Sequence, residues 1–221
     1  MLKKENKIWY NILVVCCVDT TFLIKLLRKK TNNKGGNDMD EKIDILNELG
    51  EFTGKIATLQ ECHSQGYWHR AVYAFIIDQN FNVLLQKRSK DKKLWPGKWD
   101  VTVGGHVRTG EFGRQAVIRE CKEELGIEIT DDDIKYIVST TSVYNKNGYI
   151  NNHYDECYLI LKHIDTKSLK LQKNEVEDVK FFTCEDLINR INNNYDELTE
   201  KEVSWHIFKR ILDSNIIDLI N

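Results

Sequence analysis

Residues Gly105–Ile127 read GHVRTGEFGRQAVIRECKEELGI. Three carboxylates, Glu120, Glu123 and Glu124, crowd into five positions of a segment with a helical apolar period. A helix is expected over residues 111–126, with Gly126 placed where a left-handed residue closes a helix. At 100° per residue, Val117, Cys121 and Leu125 share one quadrant, with Ile118 at its margin, so that face is the buried one. Glu120 and Glu124 lie together on one flank, and Glu123 lies just beyond. Gly113 and Ala116 continue that flank toward the N-terminus, which leaves a stripe that something bulky can approach.

Like charges four apart on a helix repel by roughly 0.2–0.5 kcal/mol. A solvated face gains attraction by placing Lys or Arg four residues after Glu; this one places Glu124 after Glu120. A divalent cation turns that repulsion into coordination. Mg²⁺ is a hard ion that takes carboxylate oxygens, keeps several waters and shares substrate phosphates. The preceding loop holds Gly104, Gly105 and Gly110. Such a loop can bring carbonyls to a metal or amides to a phosphate.

The rest of the chain is ordinary for a globular protein. Of 221 residues, 41% are hydrophobic and 30% charged, and the formal net charge of -2 gives no global field for nucleic acid. The 6 Cys show neither zinc-type pairing nor a secreted disulfide framework. They read as reduced thiols, most acting as small apolar residues, in a cytoplasmic protein. Two units are expected: an extension and linker over residues 1–38, and one domain over residues 39–221. Within the first, residues 8–27 are apolar, but Asp19 and Lys25 interrupt them, which is costly in a spanning helix. The segment therefore reads as an extension, or as upstream sequence absent from the native protein, and contact with a membrane is expected only if it is made and inserted.

Within the domain, apolar alternation and turn signals predict hairpins over 43–56 and 69–89. Further strands are expected at 99–105, 134–145, 155–164 and 176–183, with a turn over 146–152. Amphipathic helices follow over 184–193 and 200–213. Strands and helices mix without a regular βαβ repeat, so the fold expected is α/β (α+β), a mixed sheet between helices.

The 23-residue stretch resembles the signature of the Nudix hydrolase superfamily. It carries Gly105, Glu111, Arg119, Glu120, Glu123, Glu124, Gly126 and Ile127 at the signature spacing, with Cys121 where Ile, Leu or Val is usual. The flanks GYWHRAV, LLQKRS and WPGKWDVTVGGHV are similar to those of Nudix proteins related to isopentenyl-diphosphate isomerase. The resemblance implies a Nudix-type α/β/α sandwich. It also implies Mg²⁺, with Mn²⁺ able to replace it, and a small-molecule diphosphate as partner. The isomerases of this group use a cysteine just before the Gly-His of the loop, where this chain has Gly104. Their metal histidines have partial counterparts in His69 and His106, His63 is off by one in spacing, and His153 and Asp155 stand near their glutamate pair. The missing thiol and the complete glutamate box favour a hydrolase of organic diphosphates, such as a nucleoside diphosphate linked to another group. The alternatives are an isomerase-like enzyme and a Nudix-fold binding module without catalysis.

The resemblance implies Glu120, Glu124 and Glu123 as metal ligands, helped by the carbonyl of Gly105. It sets Glu120, Glu123, Arg119 and Glu111 as the candidate catalytic group, with Arg119 expected to orient Glu111 through a bidentate pair. Asp155, Glu156, Glu175 or a box glutamate is the general base. Lys87, Arg88 and His69 are candidate substrate contacts, although His69 and His106 also read as hydrogen-bonded structural histidines. Trp68, Trp95 and Trp99 could stack on an organic group or serve the core.

Overall fold

The computed structural model describes residues 40–146, 148–193, 196–200 and 202–213. The segment read above as an extension lies outside them. The described chain opens with a hairpin of β1 (Lys42–Leu46) and β2 (Phe52–Thr58), then a short helix α1 (Leu59–Gln65). Next come β3 (Trp68–Ile77), β4 (Asn82–Arg88), β5 (Trp99–Asp100), β6 (Val103–His106) and the helix α2 (Gly113–Leu125). The long strands β7 (Ile134–Lys146) and β8 (Tyr149–Leu161) follow, then β9 (Val176–Thr183), α3 (Cys184–Asn192) and α4 (Glu202–Asp213).

Strand β3 is the axis of the sheet because its sequence, WHRAVYAFII, can be buried on both faces. It pairs antiparallel with β1, β4 and β6 and parallel with β8. Alternation then divides its side chains. Val72, Ala74 and Ile76 pack with Val117, Cys121 and Leu125 of α2, the face expected from the helical projection. Tyr73, Phe75 and Ile77 pack with Leu187, Trp205 and Phe208 of α3 and α4, where the rings of Phe75 and Phe208 stack 4.3 Å apart. The result is the expected mixed sheet between helices.

Four local features depart from the sequence reading. Helix α1 was not expected; Thr58 and Glu61 form a reciprocal capping box at its start, and Gly66 closes it at φ 70°. Residues 99–105 were read as one strand but form two. Between them, Thr102 turns its hydroxyl inward to accept from Ile76 N–H at 2.9 Å and donate to the carbonyl of Leu84. The turn between β7 and β8 is shorter than expected, so the region of Asn152 to Asp155 is strand paired with β3. The stripe of small residues on α2 is also filled, not open. Gly113 and Ala116 are buried, and a Cβ on Gly113 would lie 2.0 Å from Glu156 Oε2 and 2.4 Å from the Tyr158 hydroxyl. Side chains of β8 occupy that space.

Candidate active site

Helix α2 carries its carboxylates along the edge of β6. Glu120 and Glu124 are both buried. Gly105 makes room for the first: a Cβ there would lie 2.0 Å from Glu120 Oε1, so only glycine lets the carboxylate lie against the strand. Glu124 accepts from Gln86 Nε2 at 3.1 Å, and its backbone carbonyl accepts from Gln172 N–H at 2.8 Å. Burial raises the pKa of Glu120, an effect that Arg119 partly offsets. Burial also holds Glu124 well above the usual carboxylate range, and the charges of Glu120 and Glu175 add to it. For both carboxylates burial thus outweighs the positive charge nearby, Arg119 at Glu120 and Lys92 at Glu124.

Arg119 organises the ridge from behind. Its Nε and Nη2 donate to the two oxygens of Glu111 at 3.0 and 2.9 Å. Nη2 also donates to the carbonyl of His106 at 2.9 Å, and Nη1 donates to Glu120 Oε1 at 2.6 Å and Glu123 Oε2 at 3.2 Å. One guanidinium thus fixes three box glutamates and ties the helix to the glycine strand. Glu123 is the most exposed of them and is shared with Arg108.

A cavity of about 410 Å³ faces this ridge. Glu120, Glu123, Glu124, Gly104 and Gly105 line it, as do Arg88, Lys92, Lys93 and Trp95. Glu175 and Gln172 close the end near Glu124. Lys92 is ion-paired with Glu175. Sequence reasoning missed Lys92, which follows the β4 strand by only a few residues. Arg88 lines the cavity but is held by Asp100 at 2.9 Å and the carbonyl of Leu94 at 3.0 Å. Lys87 lies outside the lining and faces Glu177 at 3.9 Å. The register with β9 shifts between Lys87 and Arg88, which marks a bulge at the end of β4.

Of the three carboxylates considered as a base, Glu175 lines the cavity. Asp155 is buried beside His153, and Glu156 lies under α2, near Arg70 and the Tyr158 hydroxyl. Of the three tryptophans, Trp95 is at the cavity; Trp68 packs on Tyr154 and Trp99 on Phe182.

The other side of β6 holds a second cluster. Parallel pairing sets His69 of β3 beside His153 of β8, and His106 of β6 lies opposite Ala71, two residues along β3. By strand alternation these three rings share one face, and His63 of α1 covers them, 5.3 Å from both His69 and His106. One nitrogen from each ring lies within 4.8 Å of the others. His63, His106 and His153 also line the cavity, while His69 sits behind them. Burial first, and then the neighbouring imidazoles, pushes His63 down to about 3 and His69 and His106 well below 6.5. The rings of these three are held neutral.

The NUDIX domain family model matches residues 67–201. The chain belongs to the Nudix family. The Nudix hydrolase 3 of Arabidopsis thaliana is 36% identical over 155 residues, which is 68% of this chain but 20% of that protein. An isopentenyl-diphosphate Delta-isomerase of Escherichia coli is 29% identical over 152 residues, covering 69% of this chain and 82% of the isomerase. Among solved structures, a Deinococcus radiodurans protein, DR0079, aligns with a TM-score of 0.56 at 23% identity, over 76% of this chain and 97% of that one, and so supports the fold. This Nudix domain is thus similar both to a hydrolase and to an isomerase.

The residues on the ridge fit the divalent cation that the family implies. Two buried carboxylates with raised pKa values stand side by side against a glycine cradle that a Cβ would fill. An oxygen-only donor set of this kind suits Mg²⁺ or Mn²⁺.

Proposed function

We propose that this protein is a Mg²⁺-dependent pyrophosphohydrolase that cleaves the diphosphate of a nucleoside diphosphate linked to another group, or of a similar organic diphosphate. The observation that carries the reading is that Glu120, Glu123 and Glu124 line one cavity together with Arg88, Lys92 and Lys93. Glu120 and Glu124 would hold the ion, with Glu123 and the Gly105 carbonyl beside them. When bound, Mg²⁺ supplies charge neutralisation for the diphosphate and lowers the pKa of an attacking water.

The chain's own groups do the rest. Lys92 and Arg88 present positive charge to the substrate phosphates, in keeping with the electrostatic stabilisation that dominates phosphoryl chemistry. Glu175 faces the same space and takes the proton of the water at a carboxylate oxygen. Arg119 and Glu111 act as positioning residues: they hold the ridge and do not face the cavity. Trp95, which lines the same cavity, is the aromatic side chain on which a planar group attached to the diphosphate would stack.

The isomerase reading is weaker on one specific point. Moving protons on an alkene needs an acid–base group at the carbon skeleton. Gly104 stands at the cysteine position, and none of Cys62, Cys121, Cys157 and Cys184 lines the cavity. The test is to incubate the protein with Mg²⁺ and a panel of diphosphates, following phosphorus products and isomer exchange separately. Release of phosphorus products supports the hydrolase. Isomer exchange with the diphosphate intact overturns it.

A further inference from the structure

The ridge glutamates are not all held alike. Glu120 and Glu124 are buried, whereas the Glu123 side chain is 43% exposed and pairs with two guanidiniums, those of Arg119 and Arg108. We propose that Arg108, seated on Glu41, is a positioning residue that grips Glu123 and competes for it with the divalent cation of the ridge. The inference rests on the reading of that ridge as a cation site. It assigns Arg108 no contact with substrate, since Arg108 does not line the cavity.

Arg108 reaches Glu123 end-on. Its Nη1 donates to Glu123 Oε1 at 3.3 Å and its Nη2 to Oε2 at 3.2 Å, so both carboxylate oxygens are engaged. The other edge of the same guanidinium is turned to Glu41: Nε donates to Glu41 Oε1 at 2.7 Å, and Nη2 donates to that oxygen as well. A guanidinium and a divalent cation repel each other, so the two cannot occupy the same end of one carboxylate. Glu123 can therefore turn its oxygens to an ion only by giving up Arg108.

The anchoring decides which partner moves. The loop that carries Arg108 is fixed to β1: Arg108 bridges to Ile43, Thr109 N–H donates to the carbonyl of Lys42 at 2.8 Å, and Gly110 N–H donates to Asp44 Oδ2 at 3.0 Å. Arg108 N–H itself donates to Glu111 Oε2 at 3.0 Å. Glu41 comes from the residue just before β1, and its side chain is 15% exposed. Arg108 and Glu41 thus belong to one braced unit. The bonds to Glu123 are longer and half exposed, the kind of ion pair that contributes little and is exchanged readily. When the pairing changes, Glu123 leaves and Arg108 stays with Glu41.

Glu41 gives the exchange its direction. It lines the cavity together with Glu120 and Glu123. With Glu41 in place, an Arg108 that has lost Glu123 keeps a carboxylate partner, and its charge is not left unpaired beside the ion. Without Glu41, Arg108 would turn to Glu123 alone, and its hold there would tighten. The two members of one ion pair therefore act on the ridge in opposite directions, which a purely structural pair would not do.

The test titrates the full chain with Mn²⁺ alone, which suits carboxylate oxygen as Mg²⁺ does. Free ion is read by electron paramagnetic resonance, so no turnover is needed. Arg108→Lys keeps the charge but cannot make the fork. It should tighten Mn²⁺ binding by about threefold, the scale of one exposed ion pair. Glu41→Gln should weaken binding. In a Glu123→Gln background Arg108→Lys should have no effect, because the carboxylate it competes for is gone. Thermal melts without metal check that each variant is folded; if Arg108→Lys is not, Arg108→Gln with and without Glu123→Gln decides on the same signs. Binding left unchanged by Arg108→Lys, tightened equally in the Glu123→Gln background, or tightened by Glu41→Gln overturns this inference and leaves the cation ridge standing. Wild-type protein that binds no Mn²⁺ overturns both.

Discussion

Arg119 grips Glu111 with two parallel hydrogen bonds, Nε to Oε1 at 3.0 Å and Nη2 to Oε2 at 2.9 Å. The same guanidinium reaches Glu120 and Glu123. Lysine keeps the charge but cannot make this fork. Arg119→Lys should therefore lower kcat by about 10–100-fold, the scale of losing an outer partner of a metal ligand. KM should change little, because Arg119 does not line the cavity. Steady-state kinetics at several Mg²⁺ concentrations would separate the two parameters.

Gly105 and Glu120 cannot both keep their places if a methyl group is added. The new Cβ would lie 2.0 Å from Glu120 Oε1 and 2.3 Å from Glu120 Cδ. Gly105→Ala should leave the protein folded but displace the carboxylate by about 1 Å, a misplacement that can cost about 10²-fold in rate. Kinetics alongside a thermal melt would check both halves of this statement.

Lys92, which lines the cavity, and Lys87, which does not, make opposite predictions. Lys92→Met should raise KM and lower kcat/KM by at least about tenfold, a loss of about 1.4 kcal/mol. Lys87→Met should leave both close to wild type, because Lys87 lies outside the cavity. Equal effects at the two positions would contradict the placement of the substrate phosphates.

The pH dependence of stability has two limbs with opposite signs. Glu120 and Glu124 have folded pKa values above their ordinary value. Their contribution is complete below about pH 4.5 and is lost as pH rises through the raised values. His63 is depressed to about 3. Its contribution is present above its ordinary value of 6.5 and is lost as pH falls from there toward about 3. Metal-free protein should thus lose stability on both sides. Glu124→Gln should flatten the alkaline limb, and saturating Mg²⁺ should do the same for wild type. Thermal melts from pH 4 to 9 would show it.

Much of this site could be read before the structure because its parts are close in sequence. The box glutamates, Arg119 and Gly105 fall within one loop and one helix, whose period reveals the buried face. The paired strands β3 and β4 were legible from their apolar runs and the polar turn between them. The histidine cluster was legible only through the resemblance to the isomerases, which pointed to His63, His69, His106 and His153 without showing that they meet. Its members run from His63 to His153, and a long-range parallel pairing of β3 with β8 brings them together. Read one at a time, His69 and His106 suggested structural hydrogen bonds; His69 Nδ1 makes one to the Tyr67 carbonyl at 2.8 Å, while its Nε2 has no partner. Helix α1 spans only seven residues, too few to show a period. Lys87 was read as a substrate contact and Lys92 was missed, because the loop after β4 that carries Lys92 to the cavity has no periodic signal. The stripe of Gly113 and Ala116 was open on the isolated helix and is filled by β8 in the fold.

The most direct test follows the diphosphate itself by phosphorus NMR, with the full chain, Mg²⁺ and nucleoside diphosphate-linked substrates. The account predicts that the coupled diphosphate signals give way to monophosphate signals with wild-type protein. It also predicts that removing Mg²⁺ or substituting Glu124→Gln slows this by at least about 10²-fold, the scale of losing one electrostatic stabiliser. Turnover at the wild-type rate by Glu124→Gln, or without a divalent ion, would contradict it.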